Sequence, residues 1–389
     1  VAVYKIKTLN NISDKGLKRL PSDLFSVGDD IDNPDGILVR SARMHDMEVP
    51  TNLKAIGRAG AGVNNIPVDK MSRLGIPVFN APGANANAVK ELVVAGMLLA
   101  ARNVCQAWDY ARNLSGTDEE LNKKVEAGKK QYAGFELPDR TLGVVGLGAI
   151  GRLVANAAID LGMKVIGFDP GITVEGAWQL SAQVKKAGSI EELLRNVDFI
   201  TFHVPLNDAT RNLINTERLT LMRDGATILN FAREGIIDDA AVVAALNGGK
   251  IHAYITDFPS NLTKNVERVV CLPHLGASTG EAEENCAIMV AEQVKDFLLN
   301  GNITNSVNFP EVKVPRETEH RLVIANANVP NMLGQISSVT GEFGLNIHDM
   351  VNKSRGELAY TIVDVDSAIP AALVDKMKAI NGVLSVRVI

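Results

Sequence analysis

The run Val144-Val145-Gly146-Leu147-Gly148-Ala149-Ile150-Gly151 constrains this chain more than any other stretch. Apolar, β-prone residues over 141–145 lead into glycines at G-x-G-x-x-G spacing, and residues 151–162 then carry helical periodicity. Each glycine has its own steric task. Gly146 allows the tight turn, Gly148 admits a pyrophosphate to the backbone, and Gly151 lets the helix lie close to the strand. A helix starting around Ile150 aims unpaired N–H groups and its positive dipole end at phosphate oxygens, so the backbone through Ala149 and Ile150 is the expected cradle. A second strand, 164–168, ends in Asp169, 23 residues after Gly146. A carboxylate there holds the adenosine ribose hydroxyls and repels a 2′-phosphate, which selects NAD over NADP.

The alternation continues beyond Asp169. Ser189-Ile190-Glu191-Glu192 reads as a capped helix start. Strands are predicted over 199–204, 226–230, 252–257 and 269–272, with helices over 217–222 and 238–246. This makes six strands after Asp139, as a doubly wound nucleotide-binding domain requires. Polar residues lie just past three strand ends: Arg233 after Asn230-Phe231-Ala232, Asp257 after Tyr254-Ile255-Thr256, and His274 after Leu272-Pro273. Removing hydride from a 2-hydroxy acid needs a base for the hydroxyl proton, a cation to orient the carboxylate, and a flat seat for the nicotinamide. His274 suits the first because imidazole titrates near neutrality. Arg233 suits the second because its guanidinium is planar and always charged. Asp257 can accept a hydrogen bond from the nicotinamide carboxamide.

Residues 1–90 also alternate between strands (3–8, 36–40, 53–58 and 78–80) and helices, one of them capped by Ser13 and running through Leu20. Arg40 and Arg58 end adjacent strands, and Gly60-Ala61-Gly62 presents backbone N–H groups beside Arg58. Such a pair suits a carboxylate plus a phosphate. Residues 85–102 form a long apolar helix whose Ala95, Gly96, Ala100 and Ala101 favour close packing, within the chain or across a subunit boundary. Residues 113–130 read as a solvated helical arm.

Composition narrows the partners. A formal net charge of −5 speaks against nucleic acid. Cys105, Cys271 and Cys286 form no C-x-x-C pair and read as free thiols of a reducing cytosol, and no metal centre is expected. The longest apolar stretch, 92–101, is too short for a bilayer, and the alternating residues 1–9, with Lys5 and Lys7, lack a signal-peptide core. The expectation is a cytoplasmic protein with no membrane partner.

Three runs in order carry a resemblance: 144–151, then Asn230-Phe231-Ala232-Arg233-Glu234-Gly235-Ile236-Ile237-Asp238, then Pro273-His274-Leu275-Gly276-Ala277-Ser278-Thr279. Together they resemble the D-isomer-specific 2-hydroxyacid dehydrogenases, over essentially the whole chain. The resemblance implies an α/β protein with a Rossmann-type doubly wound NAD domain over 85–280. A flavodoxin-like substrate-binding domain would be discontinuous, from 1–84 and 281–308. The capping-box run Ser278-Thr279-Gly280-Glu281 would start its return helix and Gly301 would end it. Cofactor contacts are implied for His203, Val204, Pro205, Phe231, Ala232, Gly276 and Ala277, besides Gly146 to Gly151, Asp169, Arg233, Asp257 and His274. Arg233 would orient the substrate and His274 would be the acid/base.

Val39-Arg40-Ser41 and Gly57-Arg58-Ala59-Gly60 resemble the members that act on a phosphorylated hydroxy acid. By that likeness the phosphate goes to Arg40 and Arg58, with Ser41, Gly60 and Asn85 as further substrate contacts. The family's catalytic glutamate is absent from 257–263. Asn261 stands nearest its place and Glu267 lies further on. Either the loop brings Glu267 in, or Asn261 orients the histidine without charging it, or His274 has no such partner. The implied function is NAD-dependent oxidation of a phosphorylated 2-hydroxy acid by a homodimer or homotetramer. Another D-2-hydroxyacid dehydrogenase or hydroxypyruvate reductase, or a non-catalytic NAD-sensing protein on the same fold, is the alternative.

Residues 309–318 read as a linker, with prolines and alternating charge. Beyond it, 319–389 predicts strand 320–327, helix 332–343, strands 346–351 and 358–365, helix 370–380 and strand 384–389, a ferredoxin-like βαββαβ order. This resembles an ACT domain, a regulatory module that binds amino acids between paired copies. Asn328-Val329-Pro330 and Gly344-Leu345-Asn346-Ile347 match its ligand-side loops, so Asn326, Asn328 and Asn346 are the expected contacts for an effector such as serine at the paired interface. The glycine that follows the module's proline is Asn331 here, and a purely structural pairing domain is the alternative.

Overall fold

The computed structural model describes residues 3–389; Val1 and Ala2, the start of the alternating N-terminal pattern, lie outside the described residues. The chain divides into two compact units, Val1–Ala84 with Gly280–Ile389, and Asn85–Thr279.

In the first unit β1 (Tyr4–Leu9), β2 (Phe25–Gly28), β3 (Gly36–Val39), β4 (Ala55–Arg58) and β5 (Val78–Phe79) form a parallel sheet ordered β2-β1-β3-β4-β5. This is the flavodoxin-like order, with its switch point between β1 and β3. Every residue of β3 is buried, as a central parallel strand covered on both faces must be. The helix Gly280–Asn300 lies on one face, where Val290 and Val294 pack over Gly57 and Val294 over Gly36. The short helix Asp14–Leu17 lies on that long helix. A Cβ at Gly16 would fall 2.6 Å from the Ala287 backbone, so only glycine permits the approach. Ser13 caps this helix as expected, but the helix stops short of Leu20.

The second unit contains β6 (Thr141–Val145), β7 (Lys164–Phe168), β8 (Lys185–Lys186), β9 (Phe199–Phe202), β10 (Ala226–Asn230), β11 (Ile251–Thr256) and β12 (Val269–Cys271). All run parallel, in the order β12-β11-β10-β9-β6-β7-β8, a Rossmann-type doubly wound sheet that reverses between β6 and β9. The sheet has seven strands where six were expected. The additional β8 is two exposed lysines paired to β7 at the edge, with no apolar alternation to announce it. Strand β2 was missed for a similar reason, its four residues being too few to show a period. The charged arm holds the helix Asp118–Gly128, started by a capping box between Thr117 and Glu120.

The C-terminal sheet is antiparallel. Strands β13 (His320–Ala327), β14 (Ile347–Arg355), β15 (Leu358–Val365) and β16 (Val383–Val388) are ordered β14-β15-β13-β16, the ferredoxin-like arrangement. Helices Met332–Glu342 and Ala371–Lys378 cover one face. The other face, with Val323, Ala325, Tyr360 and Ile362, shares a core with Phe297 of the return helix and with Phe309 and Val312. The segment read as a linker is therefore packed. Phe309, Val312 and Val314 are buried, and Ile303 and Val312 exchange both backbone hydrogen bonds, at 2.7 and 3.0 Å. Its prolines and charges occupy the positions between these buried side chains.

A buried ion pair closes this arrangement. Arg321 and Asp364 face each other across β13 and β15 and are 0% and 1% exposed. The guanidinium grips both carboxylate oxygens, Nε to Oδ1 at 2.6 Å and Nη2 to Oδ2 at 2.7 Å. Its remaining N–H groups donate to the carbonyls of Asn300, Val314 and Pro315. All five donors are thus used, the condition under which a buried charge is tolerated. Among the described residues no helix is long and apolar enough to cross a membrane.

Replacing Arg321 by Met strands the Asp364 carboxylate and three carbonyls in the core, and we expect a loss of about 3–5 kcal/mol. Thermal unfolding followed by circular dichroism checks this. The exposed pair Lys123–Glu119 is the control, since Lys123→Ala should leave the midpoint where it was.

Candidate active site

The turn after β6 shows which glycines the fold itself requires. Gly146 has φ +87°, and a Cβ there would fall 2.5 Å from the His203 carbonyl oxygen at the end of β9. A Cβ on Gly151 would overlap the Gly146 carbonyl oxygen. Gly148 differs: it has φ −67°, and nothing lies within 4 Å of the position its Cβ would take. The helix Ala149–Asp160 begins beside it without a side-chain cap, so the first-turn N–H groups of Ala149 and Ile150 point at that open space. An uncapped helix start behind an open glycine fits a pyrophosphate. At the end of β7 the half-buried Asp169 accepts hydrogen bonds from the Leu147 and Gly171 N–H groups, both at 2.8 Å. Each carboxylate oxygen keeps a lone pair for a ribose hydroxyl.

His203 lies beneath this turn, with Val204 against Gly146 and Pro205 exposed. The His203 ring is enclosed. Nε2 lies 3.1 Å from the Thr201 hydroxyl and Nδ1 has no partner. Burial pushes its pKa down to about 3, so it is neutral around neutrality.

The neighbouring strand ends carry the other expected residues. Asn230, buried at the end of β10, accepts from the Ala232 N–H and donates to the Arg233 carbonyl. This side chain folds Phe231-Ala232-Arg233 back on itself, with Phe231 and Ala232 buried and Arg233 exposed. Asp257, at the end of β11, is 1% exposed. Its Oδ2 accepts from the Gly276 N–H at 3.2 Å, tying it to the turn that carries His274, while Oδ1 is buried without a partner. Burial pushes the Asp257 carboxyl up, and the charge of His274 opposes that shift. The Phe258 ring packs on the imidazole, with centroids 4.8 Å apart. His274 and Ala277 are exposed and Gly276 is buried. A buried, unpartnered acceptor beside these groups fits the amide donors of a carboxamide.

Asp257, His274 and Gly276 are thus brought together. Asn261 and Glu267 are not. The Ser260 N–H donates to the Thr263 hydroxyl at 3.0 Å, and this turn leaves Asn261 exposed, as is Glu267. Neither hydrogen-bonds His274 among the described residues, whereas the charge of His274 bears on the Asp257 carboxyl and works against its burial. Asn85 takes the N-cap position of the helix Ala86–Ala101 without capping it, which leaves its side chain uncommitted.

In the first unit Arg40 lies just beyond β3 and is paired with Glu283 of the return helix. Asn10, at φ +68° past the end of β1, accepts from the N–H groups of Ser41 and Ala42 and sets the course of that loop. Arg58 ends β4. A Cβ at Gly60 would overlap its guanidinium, so the arginine lies across the bare Cα of that glycine. Asn10, Asn230 and Glu283 were not foreseen. A polar residue closing an apolar strand run was the available signal for the two asparagines.

In the C-terminal module Asn326 is buried, accepting from the Thr361 hydroxyl at 3.2 Å. With Asn328, Asn331 and Asn352 it lines an open pocket of about 200 Å³. Asn346 lies at the other end of β14, where its N–H donates to Asp366, and it does not line this pocket. Asn331 has φ +65°, a left-handed conformation that explains why glycine is the expected residue and why asparagine also serves.

Residues 97–276 match the family model described as D-isomer specific 2-hydroxyacid dehydrogenase, NAD binding domain. A D-3-phosphoglycerate dehydrogenase of Methanocaldococcus jannaschii is 35% identical over 376 residues, covering 91% of this chain and 69% of that one. One of Haemophilus influenzae is 32% identical over 358 residues, covering 88% and 83%. The NAD+-bound 3-phosphoglycerate dehydrogenase of Entamoeba histolytica superposes with a TM-score of 0.61 at 28% identity, over 79% of this chain and 99% of that one. The chain belongs to the D-isomer specific 2-hydroxyacid dehydrogenases, and NAD is its cofactor. Within that family, the relatives it matches over most of its length are D-3-phosphoglycerate dehydrogenases.

Gly148→Ala should leave the unliganded unit as stable as before yet weaken NAD binding, whereas Gly151→Ala should destabilise the unit itself. Thermal melts with and without NAD separate the two. His203 supplies a pH dependence. The unfolded chain takes up its proton below about pH 6.5 and the folded chain only near 3, so stability is complete above about 6.5 and declines as pH falls towards 3. His203→Gln should flatten the fall in melting temperature between about pH 7 and pH 5.

Proposed function

We propose that this protein oxidises the 2-hydroxyl of 3-phospho-D-glycerate to the ketone of 3-phosphohydroxypyruvate, as a D-3-phosphoglycerate dehydrogenase. Bound NAD supplies the hydride acceptor. Arg233, exposed at the end of the turn shaped by Asn230, pairs with the substrate carboxylate and draws charge from the forming carbonyl. One ring nitrogen of His274 takes the hydroxyl proton as the hydride leaves. The negative charge of Asp257 favours the imidazolium that results, and its unpartnered Oδ1 would hold the nicotinamide carboxamide. Gly276 holds Asp257 in place, and Phe258 holds the imidazole ring.

The observation that carries the choice of substrate is the pair of guanidiniums at the carboxyl ends of β3 and β4, with Arg58 laid over Gly60. Arg40, Ser41, Arg58 and Gly60 take the phosphate, and Asn85 contacts the substrate. The Asn326–Asn328 pocket supports an amino-acid effector such as serine, taken up where C-terminal modules pair in a cytoplasmic dimer or tetramer. Asn346 belongs to this reading only as the contribution of a paired copy.

The test is NADH absorbance with 3-phosphohydroxypyruvate and with hydroxypyruvate. The wild type should prefer the phosphorylated acid strongly, and no preference would sink the assignment. His274→Ala and Arg233→Ala should each abolish most turnover while NAD binding, read by fluorescence titration, stays close to wild type. Arg58→Ala should raise KM for the phosphorylated acid far more than for hydroxypyruvate.

A further inference from the structure

The first unit holds a cation beside Arg40 that the proposed phosphate site does not yet use. In a sheet of this order the chain leaves β1 and β3 in opposite directions, and ligands bind in the crevice outside those two strand ends. Here the crevice is an open pocket of about 410 Å³, lined by Ser13 and Lys15 from the loop and helix after β1, by Arg40 after β3, and by Glu283 and Glu284 of the return helix. The placement of Lys15 is built in. The contact of Gly16 with the Ala287 backbone fixes the short helix against the long one and sets Lys15 beside Glu284.

The charges form two parallel pairs. Lys15 Nζ lies 2.6 Å from Glu284, and Arg40 pairs with Glu283. All four side chains are substantially exposed, from 33% for Glu284 to 62% for Lys15, so neither pair is strongly held. A phosphate dianion offers each cation more charge and more acceptor oxygens than a single carboxylate does. Arg58 is paired in register with Val39, the residue before Arg40, so the two arginines leave adjacent strands at the same end of the sheet, and Arg40 reaches Glu283 in the first turn of the return helix.

We propose that Lys15 is a third cation of the phosphate site, and that Glu283 and Glu284 are displaceable counter-ions that give up Arg40 and Lys15 to phosphate oxygens when substrate binds. The proposal deepens the phosphoglycerate reading and rests on it. The two carboxylates offset the charges of Lys15 and Arg40 and hold both cations at the pocket wall. An acid without a phosphate cannot make the exchange, so Lys15 contributes to specificity rather than to the chemical step.

The experiment is steady-state kinetics on the full chain with 3-phosphohydroxypyruvate and hydroxypyruvate, comparing wild type, Lys15→Met, Lys15→Arg, Glu284→Gln and Arg58→Ala. Loss of one charge-assisted contact predicts that Lys15→Met raises KM for the phosphorylated acid about tenfold, leaves its kcat within about twofold, and barely moves the KM for hydroxypyruvate. Lys15→Arg should restore most of the affinity. Glu284→Gln should lower KM for the phosphorylated acid, and inorganic phosphate should inhibit Lys15→Met more weakly than wild type. The proposal is overturned if Lys15→Met shifts both KM values equally or neither, while Arg58→Ala still separates them. If the wild type shows no preference for phosphate, the functional reading itself fails and takes this one with it.

Discussion

Positions where no Cβ fits organise the structure. At Gly151 a side chain would strike the Gly146 carbonyl oxygen, and at Gly146 it would strike the end of β9. At Gly16 it would strike the return helix, and at Gly60 the guanidinium of Arg58. Each contact puts a helix start or a charged group where the adjoining strand end needs it. Backbone close-packing of this kind tolerates no intermediate adjustment, because a protein interior lacks the free volume to move away from even one added carbon. The open exception, Gly148, is informative for the same reason. The fold has no need of a glycine there, so the requirement comes from what binds.

Burial decides whether a charge pair in this protein is structural or exchangeable. Arg321 and Asp364 are excluded from water with every donor used, and separating them would leave charges that nothing else compensates. Arg40 with Glu283, and Lys15 with Glu284, are accessible to solvent and can change partners at little cost. The same residue types therefore do opposite work. One pair clamps the C-terminal sheet to the segment that enters it, and the others hold cations ready at a strand-end crevice.

The fold was legible where information was local. Apolar runs marked most strands, and the glycine spacing marked the nucleotide turn. What escaped was set by neighbours distant in sequence. Strand β8 exists because β7 has a free edge, and residues 309–315 looked like a solvated linker because the apolar surface they cover belongs to β13, β15 and the return helix. The site divides the same way. Arg40, Arg58, Arg233 and His274 were visible as lone polar residues past strand ends. Asn10 and Asn230 act through side-chain-to-backbone bonds whose partners are fixed only once the loop has folded. Glu284 and Lys15 lie far apart in the chain and meet only because Gly16 lets two helices touch.

The missing glutamate is the departure with most bearing on mechanism. Asp257 cannot replace it simply by hydrogen-bonding the imidazole, because one of its oxygens already holds the Gly276 N–H and the other is the buried acceptor suited to a carboxamide. In the proposed mechanism it serves His274 through its charge instead, from a buried position beside the exposed ring. Orientation, the glutamate's other task, falls to packing. Phe258, the next residue in the chain, lies against the ring. In the proposed mechanism the two duties usually joined in one side chain are divided between neighbours, an aspartate that stabilises the charge and a phenylalanine that restricts the ring.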